Sequence, residues 1–239
     1  MDKRIINNCC LICDDSIELM KRMISKGVQV DMIFTDPPYH VTRSGNAGNF
    51  GGMFKKTTFR NGRVFKYNDC PIEEWAPLIF RMLRENCHAY IMCNMSNLCK
   101  YLQILTSVGF KFIKLIIWDK INKIAGAYYM DQCEIIIFLR KGKARKINFP
   151  GTSNIWSVLN KKTKLPDGTN VHDTEKPTEL YRRAIINSTA PGDIVFDPFM
   201  GIATGAEAAI ITGRRFVGCD IDADYFIYAT RRISNVKKE

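Results

Sequence analysis

Asp193-Ile194-Val195-Phe196-Asp197-Pro198-Phe199-Met200-Gly201-Ile202-Ala203-Thr204-Gly205 is the stretch that decides the fold. A short apolar run closes on Asp197, and a turn carrying proline and glycine follows. Ala206-Glu207-Ala208-Ala209-Ile210-Ile211-Thr212-Gly213 then reads as a helix stopped by glycine. A second apolar run, Phe216-Val217-Gly218-Cys219, ends on Asp220. The unit is strand, loop, helix, strand, with an acid closing the second strand. In open α/β sheets the loop lets an anionic group approach a helix N-terminus, and the acid hydrogen-bonds ribose hydroxyls. The glycines alone describe many turns; the acid at the expected separation gives the pattern its weight.

The second informative stretch lies far upstream, Val30-Asp31-Met32-Ile33-Phe34-Thr35-Asp36-Pro37-Pro38-Tyr39. An apolar strand ends abruptly in a carboxylate, two prolines and an aromatic ring. The C-terminal end of a strand is where ligands bind in an open α/β sheet. The tetrapeptide suits the activation of an exocyclic amino group on a planar ring, whose lone pair is delocalised and attacks poorly. A carboxylate oxygen and a backbone carbonyl can each accept one amino hydrogen and draw the nitrogen towards a tetrahedral geometry. The prolines donate no N–H and push the preceding residues to extended conformations, so the loop carbonyls can point outward. Tyr39 offers a face for stacking a base that has left a duplex. The alternative is plain punctuation, since Asp-Pro and Pro-Pro mark turns anywhere.

Between these segments stands His172-Asp173-Thr174-Glu175-Lys176-Pro177, ahead of the amphipathic run Thr178-Glu179-Leu180-Tyr181-Arg182-Arg183-Ala184-Ile185-Ile186. The proline suits the first turn of a helix, and the lysine before it is placed to meet a carboxylate. A coarse pass gives continuous α/β alternation. Helices are predicted over 16–25, 72–83, 97–107, 179–187, 206–211 and 224–233, and strands over 30–34, 89–93, 112–118, 135–139, 194–196 and 216–219. The runs 112–118 and 135–139 are predicted to pair as an antiparallel hairpin.

Taken together the three segments resemble the permuted (β-type) DNA amino-methyltransferases, which use S-adenosylmethionine. In that family an Asp-Pro-Pro-Tyr comes first, a His-x-Thr-x-Lys-Pro segment follows, and an Asp-Pro-Phe-x-Gly loop lies near the C-terminus. Here they stand in that order at 36–39, 172–177 and 197–201. Smaller echoes are Ile117-Trp118-Asp119-Lys120, Glu134, and Asp224-Tyr225 with Arg231-Arg232. The match reaches most of the chain except 40–70 and 140–170. The resemblance implies a single-domain, Rossmann-like methyltransferase sheet of α/β class, circularly permuted, with an antiparallel hairpin at one edge. It implies Asp36, Pro37, Pro38 and Tyr39 as catalytic residues. Asp14, Lys176, Asp197, Phe199, Gly201, Thr204 and Asp220 are implied as the binding site for S-adenosylmethionine. It further implies transfer of a methyl group to the N6 amino group of an adenine flipped out of double-stranded DNA.

Two departures from the family pattern stand out. The loop usually continues Gly-Ser-Gly-Thr-Thr, whereas this chain reads Gly201-Ile202-Ala203-Thr204-Gly205, which narrows the room for close backbone approach. The N-terminal Gly-Asp of the family is here Cys13-Asp14, and Asp14 suits either the cofactor's adenine ring or a helix N-cap, a role Asp15 shares. Cytosine-N4 methylation uses the same geometry but goes more often with serine in place of Asp36. Methylation of a protein glutamine or an RNA base usually goes with the glycine loop ahead of the tetrapeptide. A non-catalytic DNA-binding protein that kept the fold is the rival of a different class, and the altered loop is its only support.

Composition fits the resemblance. The 239 residues suffice for one domain with a full core. The formal charge of +11 is concentrated in loops such as Lys55-Lys56-Thr57-Thr58-Phe59-Arg60-Asn61-Gly62-Arg63, 140–146 and 161–164. Cations interleaved with aromatics suit a phosphate backbone, and Lys55, Lys56, Arg60 and Arg63 are the expected DNA contacts. Residues 40–70 are expected to form a lid or DNA-contact loop and 140–170 a target-recognition loop. A cognate restriction endonuclease and a second copy of the chain are further partners that no residue pattern decides. The absence of a long apolar run and of an apolar leader argues against a membrane span or export, so a cytoplasmic location is expected. Nine cysteines scattered through apolar runs read as reduced core residues. Cys10-Leu11-Ile12-Cys13 has metal-type spacing but no second pair nearby, so no metal is expected. His88 reads as a structural histidine.

Overall fold

The computed structural model describes residues 1–38, 70–124, 128–143, 148–149, 151–159 and 175–236. Its strands are β1 (Asp2–Ile6), β2 (Cys9–Cys13), β3 (Val30–Thr35), β4 (Leu83–Cys93), β5 (Lys111–Ile124), β6 (Asp131–Arg140), β7 (Ile155–Ser157), β8 (Ile194–Asp197) and β9 (Arg215–Asp220). The helices are α1 (Ser16–Ser25), α2 (Ile72–Met82), α3 (Leu98–Val108), α4 (Thr178–Ser188), α5 (Thr204–Ile211) and α6 (Ala223–Ser234). All nine strands share one sheet in the order β1-β2-β9-β8-β3-β4-β6-β5-β7.

Strands β2, β9, β8, β3 and β4 run parallel. Every residue of β3 is buried, because helices cover both faces of the sheet there. Met32 and Phe34 join a core with Tyr90, Phe138 and residues of α4, α5 and α6. Ile33 points the other way, into a core with Trp75, Ile79 and Leu105 from α2 and α3. This alternation is the period of a strand read from both sides. Phe34 stacks on Tyr181 at 4.1 Å and on Tyr90 at 5.7 Å. The order of strands reverses between β3, from which the chain steps to β4, and β8, from which it steps to β9. Ligands bind at such a switch point, beyond the carboxyl ends of the strands.

The predicted hairpin is present as β5 and β6, extended at both ends and flanked by β7. A bulge separates the pairs Asp119↔Cys133 and Ile124↔Asp131. Asp119 holds it, accepting from Ile121 N (2.8 Å), Gln132 Nε2 (2.9 Å) and Ser157 Oγ (3.0 Å). The opposite edge carries a second hairpin, β1 and β2, which the sequence reading did not contain. Cys10 and Cys13 stand three apart on β2 and so face opposite sides of the sheet. None of the nine cysteines takes part in a disulfide. His88 is buried with its ring 5.0 Å from that of Phe138, a core position. Among the described residues no helix is long and apolar enough to cross a membrane.

Candidate active site at the strand ends

Strand β3 ends at Thr35, whose Oγ1 donates to Asp197 Oδ1 at 2.7 Å. This bond ties the ends of β3 and β8 together where the sheet order reverses. Asp36 follows, with Pro37 buried and Pro38 half-buried. The two oxygens of Asp36 differ. Oδ2 accepts from Lys176 Nζ at 2.5 Å, whereas Oδ1 is buried and has no hydrogen-bond partner among the described residues. A buried acceptor left unpaired costs about 1–3 kcal/mol, and Oδ1 keeps the capacity to accept a further hydrogen bond. Burial pushes the Asp36 carboxyl up from its ordinary range, and the Lys176 ammonium opposes that push.

Lys176 owes its place to its neighbours. Buried Glu175 accepts from Arg232 Nη1 at 2.6 Å. Arg232 Nε also donates to Glu207 Oε2 (2.7 Å), and Thr178 Oγ1 donates to the same oxygen (3.0 Å). The segment ahead of α4 is thereby clamped to α5 and α6. On its far side Lys176 Nζ lies 3.7 Å from Glu134 Oε2, and Glu134 Oε1 meets Lys120 Nζ at 2.6 Å. Burial works to raise the Glu134 carboxyl, but Lys176 and Lys120 outweigh it and hold it below the usual range. Glu134 and Lys120 were not among the predicted site residues. Both flank the hairpin at its site end, but only the register Trp118↔Glu134 shows that they meet.

The glycine turn is built from its acids. Asp197 Oδ1 also accepts from Phe199 N at 3.0 Å, so one buried oxygen shapes the turn after β8. Burial nevertheless pushes this carboxyl up to about 7. Phe199 is half-buried and meets Trp75 edge-on at 6.0 Å. Gly201 adopts φ 52° and donates its N–H to Asp220 Oδ2 at 2.9 Å. Asp220 Oδ1 accepts from Asp222 N at 2.9 Å, and burial pushes Asp220 up to about 6. Asp220 therefore pins the glycine turn to the end of β9. Thr204 opens α5 and is buried. At Gly205 a Cβ would approach the Tyr181 ring to 3.0 Å and the Phe216 ring to 3.1 Å, so a side chain there would require those rings to give by a few tenths of an ångström. Asp14 follows β2 and donates its N–H to Asp220 O at 3.1 Å, while its carboxylate pairs with Arg22. The cap of α1 falls to Asp15, which accepts from Glu18 N at 2.9 Å.

A sequence profile described as DNA methylase, of the N6/N4 type, matches residues 30–231. The chain belongs to the N6/N4 DNA methylase family. The methylase is 28% identical to the type II methyltransferase M2.DpnII of Streptococcus pneumoniae over 95% of its own length and 90% of that protein's. It is 25% identical to the type II methyltransferase M.HinfI of Haemophilus influenzae, covering 93% of this chain and 67% of the relative. Among solved structures, the M1.HpyAVI–SAM complex superposes with a TM-score of 0.71 at 25% identity, over 93% of this chain and 98% of that one. The cytosine-N4-specific PvuII DNA methyltransferase shares the fold, with a TM-score of 0.69 at 15% identity over 97% and 94% of the two chains. The methylase is an S-adenosylmethionine-dependent enzyme that transfers methyl groups to amino groups of DNA bases.

The residues of the methylase fit that cofactor. Asp14 and Asp220 stand at the ends of neighbouring strands β2 and β9, where acceptors suit ribose hydroxyls and a ring amino group. Beside them the 197–201 turn closes against β9, and across the switch point Asp36 Oδ1 has no hydrogen-bond partner among the described residues. Lys176, expected at the amino-acid end of the cofactor, has its ammonium between Asp36 and Glu134. The strand ends thus bring together Asp14, Asp36, Asp197, Phe199, Gly201, Thr204 and Asp220, with Lys176 beside them. Tyr39, Lys55, Lys56, Arg60, Arg63 and His172 lie outside the described residues, as do 40–69 of the expected lid and 144–147, 150 and 160–170 of the expected recognition loop.

Proposed function

We propose that the target is the N6 amino group of adenine in double-stranded DNA, presented to the site as a flipped base. The unpaired, buried Oδ1 of Asp36 carries the reading. Bound S-adenosylmethionine supplies an electrophilic methyl group on a sulfonium. The chain's part is positional: Asp36 Oδ1 accepts one amino hydrogen, the carbonyl of Pro37 accepts the other, and Tyr39 stacks on the ring. With both hydrogens so held, the nitrogen lone pair would be freed from the ring and aimed at the methyl group that the bound cofactor would supply, and the surplus proton would leave to solvent. Holding the partners in line accounts for much of such a rate enhancement. The carboxylate at position 36, where cytosine-N4 enzymes of the resembled family more often carry serine, favours adenine.

In this reading the chain acts as one methyltransferase domain, with 40–70 as a lid and DNA-contact loop and 140–170 as a recognition loop. Lys55, Lys56, Arg60 and Arg63 neutralise phosphates, and Asp14, Asp220 and the 197–204 turn hold the cofactor. A cytoplasmic setting with a cognate restriction endonuclease as functional partner is proposed on the type II names of the relatives. Assembly as a homodimer is included in the proposal. The test is incubation of the purified enzyme with unmethylated DNA and S-adenosylmethionine, followed by mass spectrometry of the nucleosides. N6-methyladenine is expected from the wild type and none from Asp36→Ala. N4-methylcytosine would overturn the choice of base, and no modified base with intact cofactor binding would favour a non-catalytic DNA-binding protein.

A further inference from the structure

We propose that Glu134, backed by Lys120, is the positioning residue that decides which oxygen of Asp36 is offered to the target amino group. The inference rests on the reading of Asp36 as the acceptor. Four charged groups alternate in a row: Lys120, Glu134, Lys176 and Asp36, separated by 2.6, 3.7 and 2.5 Å. Two cations and two anions make the row neutral as a whole, and no member can be removed without leaving a net charge at a poorly hydrated site. The Lys176 side chain is only 7% exposed.

A lysine ammonium is a point charge on a flexible four-carbon stem, with none of the fork geometry of arginine. Facing Asp36 alone, it can sit on either oxygen or across both, and it would then occupy the acceptor the reaction needs. Glu134 removes that freedom by drawing Nζ from the opposite side, so that Lys176 engages Oδ2 and leaves Oδ1 unpaired. Glu134 is in turn fixed by Lys120, and Lys120 by the strand geometry beside the Asp119-clamped bulge. A distant hairpin thereby sets the orientation of the catalytic carboxylate.

The groups facing Asp36 are Lys176 ahead of α4, Glu134 on β6, Lys120 on β5, Asp197 on β8, Cys93 on β4 and Tyr181 on α4. Glu134 raises the Asp36 carboxyl and Lys120 lowers it. The two neighbours therefore predict opposite signs. In Glu134→Gln the acid limb of the kcat–pH profile is expected to move to lower pH, and in Lys120→Met to higher pH. Both variants should lower kcat by roughly 10–100-fold, the scale of a displaced reacting group. The Kd for S-adenosylmethionine should hardly change, whereas each of these two single variants should lose some melting temperature because it unbalances the row, a loss that Glu134→Asp avoids and the double variant recovers in part. Glu134→Asp should restore part of kcat, and the Glu134→Gln/Lys120→Met double variant should return the acid limb towards wild type without restoring kcat.

Wild-type kcat and an unshifted profile in Glu134→Gln would overturn the proposal. So would a loss of kcat matched by loss of melting temperature in every variant, Glu134→Asp included, because Glu134 would then serve only the fold. Asp36→Ala measured alongside keeps the two readings apart. An active Asp36→Ala sinks the acceptor assignment itself, whereas an inactive Asp36→Ala beside a normal Glu134→Gln sinks only the role of Glu134.

Discussion

At Asp36 the exchange of one oxygen for an amide nitrogen is a sharper test than truncation. The Lys176 ammonium cannot donate to an NH2 group, so in Asp36→Asn the amide oxygen must take the Oδ2 position. The NH2 then occupies the place of Oδ1, a donor where an acceptor is required. Asp36→Asn is therefore expected to lose about 100-fold or more in single-turnover rate, the scale for removing one aligned partner from a transition state. An amide that retained most of the activity would show that Oδ1 accepts nothing in the reaction. Asp220 is expected to reveal two roles. Asp220→Ala should weaken S-adenosylmethionine binding by roughly 1.5–3 kcal/mol in calorimetry, the range for hydrogen bonds to a charged group. It should also lower the melting temperature without ligand, since Gly201 and Asp222 lose their shared acceptor. At this scale Asp36 and Lys176 were legible in the sequence because each abuts a proline that punctuates an element. The contact of Lys120 with Glu134 was not, because it depends on the register of a bulged hairpin and residue spacing does not encode that register.

The start of α5 turns on Ala203, which adopts a left-handed conformation at φ 59° and is fully buried. For a non-glycine residue that conformation costs roughly 1–2 kcal/mol. Glycine would remove the strain but forfeit a buried methyl worth about 0.8 kcal/mol and add about 0.5–1 kcal/mol of unfolded-state entropy. The effects nearly cancel, so Ala203→Gly should change urea-unfolding stability by less than about 1 kcal/mol. Ala203→Val meets the same backbone with a branched Cβ and should lose about 2 kcal/mol or more. A stable valine variant would show that the turn has another accessible shape. The six predicted helices and six predicted strands all exist, most of them within a residue or two of the expected ends. The exceptions are instructive. β4 begins six residues early, at Leu83, through polar residues that carry no alternation. β5 runs on to Ile124 because pairing continues through Asp119↔Cys133 and resumes, after a register shift, at Ile124↔Asp131. β1 is mostly charged and exposed, and β2 is a run of cysteines and aliphatics without alternation, so neither announced itself.

Across the whole molecule the buried acids fix how stability responds to pH. The Asp197 carboxyl sits at about 7 and Asp220 at about 6 in the folded chain, against about 3.9 for an unfolded aspartate. A pKa raised by folding means that the native state binds the proton more tightly. Its favourable contribution is complete below the unfolded value and is lost as pH rises through the folded one. Stability should thus decline between about pH 4 and pH 7, while the lowered Glu134, Glu179 and Asp119 act below that window. In Asp197→Asn one oxygen can still accept from Thr35 and Phe199, so this variant should flatten the decline. It should be the more stable form above pH 7 by roughly 1–4 kcal/mol; parallel stability–pH curves for the two proteins would contradict this. A second global expectation concerns charge. Replacing Lys55, Lys56, Arg60 and Arg63 with neutral residues should weaken binding of cognate and unrelated duplexes alike, flattening the log–log salt slope by about 0.9 per lost phosphate contact. An unchanged slope would move the DNA surface to 140–164.

The pairing of β2 with β9 joins residues about two hundred positions apart, and β3 must likewise wait for β8. Contacts of such high sequence separation close large loops before they contribute, which slows folding. On the ribosome the wholly buried strand Val30–Thr35 can meet β4 early, yet its other edge stays unpaired until β8 emerges. A nascent chain stalled before residue 194 therefore displays an apolar strand edge, the feature that invites intermolecular pairing. The permuted order that places both halves of the site at one seam thus makes the unfinished chain the state most in need of a chaperone.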